Sequence, residues 1–179
     1  ILPKKPATLL KNLLPKEQGD IHIAFDDRNA VFTLENYSLT CRLIEGRYPN
    51  YNAVIPENNP FSACVDRMTL MSALKRVSVF CNQSSGLVKI ELANNNIKLT
   101  GQDSEYATRA EEFILCEYTN TPISIGFSCT FLLEIAGIMD CETLKIEVAD
   151  PSRPGVIRPA EENSDDEVLM LLMPMRVED

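Results

Sequence analysis

The side chains that most readily bind metals or act as nucleophiles are one histidine, His22, and six cysteines, Cys41, Cys64, Cys81, Cys116, Cys129 and Cys141. Their spacing gives them little to do together. His22 sits inside an alternating run, Ile21-His22-Ile23-Ala24-Phe25, and no partner lies at triad or metal-ligand spacing, so it reads as a structural or solvent-facing strand residue. The cysteines lie far apart with no Cys-x-x-Cys pair, which is neither zinc spacing nor a disulfide framework and suits a reducing cytoplasm. Gly46, Gly86, Gly101, Gly126, Gly137 and Gly155 stand singly, so no phosphate loop is present. No enzyme, metal site or cofactor is expected. The chemistry left is that of binding.

Charge and apolar content bound what is bound. The chain has 179 residues, 17 basic and 26 acidic side chains, and a net charge of −9. Such a balance is not the usual footprint of a nucleic-acid binder, but its distribution is uneven. Residues 1–16 hold Lys4, Lys5, Lys11 and Lys16 and no acid, whereas 161–167 hold five acids and read as the solvated tip of a long hairpin. Apolar residues make 45%, which excludes global disorder. No run approaches the ~20 apolar residues of a membrane span. The lysine-rich N-terminus has no cleavage site, so no signal peptide and no membrane partner are expected.

The elements that must position these groups repeat. Val88-Lys89-Ile90-Glu91-Leu92 and Leu144-Lys145-Ile146-Glu147-Val148 nearly superimpose, and each alternates like a strand with one buried face. Each follows an amphipathic helix. Over 66–80 the stripe is Leu70, Met71, Leu74 and Val77, with Asp66 as N-cap. Over 128–139 it is Phe131, Leu132, Ile135 and Met139, with Ser128 as N-cap. A third copy opens the chain: Pro6 suits a first helical turn, Leu9, Leu10, Leu13 and Leu14 form the stripe, Pro15 ends it, and 21–25 alternates. Two more strands are predicted after each: 30–35 and 38–45; 96–101 and 106–116; 155–160 and 167–173. An Asn94-Asn95-Asn96 turn that tolerates positive φ leads into 96–101.

The chain thus reads as an α+β protein made of αβββ three times. One such unit cannot cover its own apolar face, whereas two make a compact domain with two helices on one side of two sheets. The expected organisation is a half-domain over 1–56 and a domain over 57–179, linked at Pro56-Glu57-Asn58-Asn59-Pro60.

The run Leu43-Ile44-Glu45-Gly46-Arg47-Tyr48-Pro49-Asn50-Tyr51, continuing to Pro56, resembles the segment joining the middle and third domains of the bacterial sliding clamps, the beta subunit of DNA polymerase III. The matching residues are Gly46, Arg47, Tyr48, Pro49, Tyr51 and Pro56. Met173-Pro174-Met175-Arg176-Val177 resembles the tail of that family, and residues 73–82 and 123–127 look like it too. The resemblance implies a DNA-clamp fold with repeated αβββ-type half-domains, helices on the inner face and antiparallel sheets on the outer face. Two full-length subunits would form a ring-shaped homodimer around duplex DNA. On this reading 1–56 is the second half of the middle domain and 57–179 the complete third domain. The chain is then a C-terminal fragment that does not form the ring by itself.

A clamp that slides must touch phosphates rather than base edges. The candidates facing double-stranded DNA are Lys4, Lys5 and Lys11 near the first helix and Arg67, Lys75 and Arg76 on the second; the third carries Glu134 and no base. The resemblance also implies a hydrophobic pocket for short Gln/Leu/Phe-type peptides of the replicative polymerase, the clamp loader and repair polymerases. The residues matching it are Pro49, Val54, Ser128, Phe131, Pro154, Leu171, Leu172, Met173, Pro174, Met175, Arg176 and Val177. Methionines give such a site a flexible lining. Ala53, Ser128 and Phe131 depart from the family's usual basic residue, Asn and Tyr, and Glu178 and Asp179 run past its usual end. The alternative reading is a soluble peptide-binding scaffold module without a DNA role.

Overall fold

A computed structural model describes residues 1–161 and 168–177. They fall into two compact units that divide after Asn50, within the run expected to join two domains and six residues before its expected end at 56. Apart from Glu161, the acidic tip over 161–167 lies outside the described residues, as do Glu178 and Asp179.

The first unit is one helix on a three-stranded antiparallel sheet. Helix α1 (Lys4–Leu13) carries Pro6 in its first turn, where a missing N–H costs nothing, and runs into a 3-10 turn over Leu14–Lys16 that contains Pro15. Strands β1 (His22–Phe25), β2 (Asn29–Thr33) and β3 (Ser38–Arg42) follow in spatial order. Asp26 turns β1 into β2. Its carboxylate accepts from the N–H groups of Arg28 at 2.7 Å and Asn29 at 2.6 Å, and these bonds hold its pKa below the ordinary value. The core is small: Leu10, Ala30, Phe32 and Leu34. The leucine stripe of α1 is correspondingly narrower than its spacing predicts. Leu10 is buried and Leu13 half-buried, but Leu9 and Leu14 face solvent. Ile23 and Phe25 on β1 are exposed as well, as is His22.

The second unit holds two further repeats, each longer by one strand than the alternation shows. Strand β4 (Phe61–Asp66) precedes helix α2 (Arg67–Ser78), which leads to β5 (Leu87–Ala93), β6 (Asn96–Asp103) and β7 (Thr108–Leu115). Strand β8 (Ile123–Ser128) precedes helix α3 (Cys129–Ile138), which leads to β9 (Thr143–Val148), β10 (Gly155–Pro159) and β11 (Met170–Leu172). The repeat here is therefore βαβββ. Its leading strand crosses over: the sheets run β7-β6-β5-β8 and β11-β10-β9-β4, so each takes its fourth strand from the other repeat. Val88 faces Phe127 and Ile90 faces Ile125 in one; Ala63 faces Ile146 and Val65 faces Leu144 in the other. This exchange interlocks the two repeats and gives each apolar face the cover that one unit alone lacks.

Helices α2 and α3 pack on each other and bury Leu70, Ala73, Leu74, Val77, Cys129, Leu132 and Ala136. Asp66 caps α2 as its position predicts, accepting from the Thr69 N–H at 2.7 Å. Ser128 occupies the N-cap of α3 but makes no capping bond; the Cys129 N–H donates instead to the Gly86 carbonyl at 2.8 Å. The turn into β6 adopts the left-handed conformation its asparagines suit, with φ of 49° at Asn94 and 58° at Asn95.

Candidate functional site

The tail of the second unit is built by an alternation that stops. In β11, Leu172 pairs with Gly155 and Leu171 with Val156. Leu172 turns inward, is 6% exposed and packs in the core. The next side chain leaves the protein: Met173 is 59% exposed. Pro174, with no N–H to donate, carries the chain away from the sheet. The tail then docks on β8, where the Met175 N–H donates to the Gly126 carbonyl at 2.8 Å. An apolar residue is thus held in solvent between two anchored neighbours.

Three concave surfaces lie around this tail and the segment after Asn50. One of about 560 Å³ is lined by Ser124, Pro151, Ser152, Pro174, Arg176 and Val177. A second of about 590 Å³ lies on the sheet face holding Leu87, Lys89, Thr100 and Gln102, and is closed by Met175, Arg176 and Val177. A third of about 370 Å³ joins Ala53, Val54, Ile55 and Pro56 to Arg153 and Pro154. The expected pocket residues Pro174, Arg176 and Val177 thus share one groove, Val54 and Pro154 share another, and Met175 lines the 590 Å³ surface together with Arg176 and Val177. Ser128, Phe131, Leu171 and Met173 line none of the three. Phe131, expected on the buried stripe of α3 as well as in the pocket, is 54% exposed, while Leu132 and Met139 are buried and Ile135 half-buried. Pro49 is an exposed residue of the first unit.

The six candidate cations separate into two kinds. Lys4, Lys5 and Lys11 on α1 and Lys75 on α2 are exposed. Arg67 is half-buried: its Nε donates to the Cys141 carbonyl at 2.7 Å and Nη1 to the Ala136 carbonyl at 3.1 Å, where a cation meets the negative end of α3. Arg76 is ion-paired to Glu112 of β7, its Nε 3.1 Å from each carboxylate oxygen. Both guanidiniums thus have partners within the protein, which the four lysines lack among the described residues.

Spacing alone did not reveal the charge ladder on the outer sheet faces. Lys98 lies 2.9 Å from Glu111 and 3.6 Å from Glu91, which is 3.7 Å from Lys89. Hydrogen bonds from Lys98 and then Arg109 hold the Glu111 carboxyl below its ordinary pKa. On the other sheet Glu147 lies 3.1 Å from Lys145 and 2.8 Å from Arg158. The signal was present in the repeated Lys-Ile-Glu of β5 and β9, whose polar positions face outward where cross-strand charges meet.

Among the described residues, no group of three His, Cys, Asp or Glu side chains could hold a metal. All six cysteines are free, and burial pushes the Cys116 thiol up to about 11, away from the thiolate needed for reactivity. No described helix is long and apolar enough to cross a membrane.

Comparison with known proteins agrees with this architecture. A family model described as DNA polymerase III beta subunit, C-terminal domain, matches residues 52–176, and one described as its central domain matches 1–50. The beta sliding clamp of Pseudomonas aeruginosa is 25% identical over 177 residues, which are 99% of this chain and 47% of that protein. That of Treponema pallidum is 31% identical over 182 residues, 99% of this chain and 48% of that protein. The chain spans about half the length of the curated relatives it matches. A crystal structure of the P. aeruginosa sliding clamp with ligand superimposes with a TM-score of 0.93 at 26% identity, covering 99% of this chain and 47% of that one. The sliding clamp of Bartonella birtlesii bound to griselimycin does so with a TM-score of 0.92 at 32% identity and the same coverage. With a repeated helix-and-sheet architecture of α+β clamp type, this chain belongs to the DNA polymerase III beta subunit family, the bacterial sliding clamps.

Proposed function

We propose that the chain is part of a non-catalytic, cytoplasmic DNA polymerase processivity factor. Residues 1–50 belong to its middle domain and 51–179 to its third. In the whole protein, two subunits ring the duplex with helices inward, and short peptides of the polymerase, clamp loader and repair polymerases dock beside the tail. The observation that carries this reading is Met173, an exposed methionine held between the buried Leu172 and the docked Met175. An apolar anchor that water reaches in one state is available for burial in another. Phe131, Pro174 and Val177, with Val54 and Pro154 of the third groove, supply further apolar surface.

The phosphate-facing set on this proposal is Lys4, Lys5, Lys11 and Lys75, the exposed candidates that form no ion pair among the described residues. Such contacts hold DNA without reading its sequence. Strand β7 is a free sheet edge bearing exposed Phe113 and Leu115, and Val79, beyond α2, is 78% exposed. An unpaired edge with apolar side chains suits the ring joint between the third domain of one subunit and the first domain of the other.

Binding of a fluorescein-labelled Gln/Leu/Phe peptide, followed by anisotropy with griselimycin as competitor, tests the reading. Saturable, competed binding is expected; a flat titration contradicts it.

A further inference from the structure

We propose that Gly126 is the positioning residue of the peptide site: its missing side chain lets the tail seat on the edge of β8, and that seat holds Met173 and Pro174 in place. The proposal rests on the peptide-binding reading above.

The internal repeat supplies the comparison. Gly126 stands three residues before Cys129, which opens α3, and Cys64 stands three before Arg67, which opens α2. Each bridges to the segment that leaves the last strand of its own repeat: Cys64 to Glu117 after β7, Gly126 to Met175 after β11. At Cys64 both amide bonds form, the Cys64 N–H to the Glu117 carbonyl at 3.1 Å and the Glu117 N–H to the Cys64 carbonyl at 2.8 Å. That copy tolerates a side chain at the bridge. At Gly126 a Cβ would lie 2.7 Å from the Met175 carbonyl oxygen, 2.8 Å from Leu87 Cδ1 and 2.8 Å from Val177 Cγ2.

Conformation does not explain this glycine. The glycines with positive φ are Gly46 and Gly86, so Gly126 holds a backbone any residue can adopt. Space explains it, and two of the three contacts belong to the tail. Gly101 contrasts, because a Cβ there would strike the Val77 carbonyl of α2 at 2.7 Å and the Cys81 sulfur at 2.9 Å, both within the core. Gly137 has nothing within 4 Å.

The test compares Gly126→Ala, Gly101→Ala and Gly137→Ala by hydrogen–deuterium exchange, thermal melting and anisotropy with the Gln/Leu/Phe peptide. In Gly126→Ala the Met175 amide should exchange at least tenfold faster and the peptide bind at least tenfold more weakly, while β5 and β6 keep their protection. Gly101→Ala should lower the melting temperature yet keep Met175 protection and peptide affinity; Gly137→Ala, in open space on α3, should keep both and not lower the melting temperature. Beside a Met175→Leu control that keeps the N–H and the peptide affinity, Met175→Pro removes the same hydrogen bond from the tail side, leaves β8 intact and should weaken peptide binding at least tenfold. Unchanged peptide affinity in Gly126→Ala or Met175→Pro, or loss of protection spread evenly over β5, β6 and the tail, overturns the proposal. A wild-type protein that binds no peptide overturns the peptide reading alone, and the Met175 exchange rate then still decides whether Gly126 seats the tail.

Discussion

The guanidinium of Arg67 donates to the carbonyl oxygen of Cys141 at 2.7 Å, so the first residue of α2 fastens the chain where it leaves α3. A second bond, to Ala136, satisfies a carbonyl in the last turn of that helix. Arg67→Ala should therefore cost about 1.5–3 kcal/mol of stability, the range for hydrogen bonds to a charged group. Urea denaturation measures it. Lysine should rescue only part of the loss, because one ammonium cannot reproduce a planar two-nitrogen fork. DNA affinity should not change.

The exposed lysines should behave in the opposite way. Replacing Lys4, Lys5, Lys11 or Lys75 by alanine should leave the melting temperature within a degree or two. Each should lower the slope of log affinity against log salt for duplex DNA by about 0.9, the loss of one phosphate contact. Filter binding across a low-salt series reads the slope. An unchanged slope in all four would remove the phosphate-facing role of this set.

Asp66 gives a pH signature. The Thr69 hydroxyl and N–H hold its carboxyl below the ordinary value of 3.8, so its folded pKa is the lower one. The unfolded state then binds the proton first, and the capping contribution is complete above the unfolded pKa and lost as pH falls through the folded one. Asp66→Ala should cost about 1 kcal/mol at neutral pH. Its stability gap from the wild type should narrow below about pH 4 and close on further acidification. Denaturation curves at several pH values check this.

What was legible in the sequence follows the physics of each element. Strands β5 and β9 alternate cleanly because one face is buried and the other carries Lys and Glu, and α2 shows its cap and stripe in the same way. Strands β4 and β8 did not show. Ile123, Ile125 and Phe127 alternate with Ser124, Gly126 and Ser128, and Phe61, Ala63 and Val65 with Ser62, Cys64 and Asp66, but each run is only six residues long and passes straight into a helix, and its partner lies in the other repeat. Tertiary partners were equally hidden. No spacing links Arg67 to Cys141 or Arg76 to Glu112, so both arginines looked like free helix charges. In the tail, the run Leu171-Leu172-Met173 carries no polar residue to mark which side chain turns in. Only the pairing of Leu172 with Gly155 separates core from surface there.

On the proposed function, Met173 belongs to a peptide site and not to the core. Titration of a fluorescein-labelled Gln/Leu/Phe peptide into the wild-type and Met173→Ala proteins, each with its melting temperature measured, separates the two roles. Loss of an anchor at the centre of the site should cost about 1–2 kcal/mol of binding, roughly a 5–30-fold rise in Kd, at an unchanged melting temperature. Equal affinities for the two proteins, or a Met173→Ala protein that melts far lower, would contradict the account.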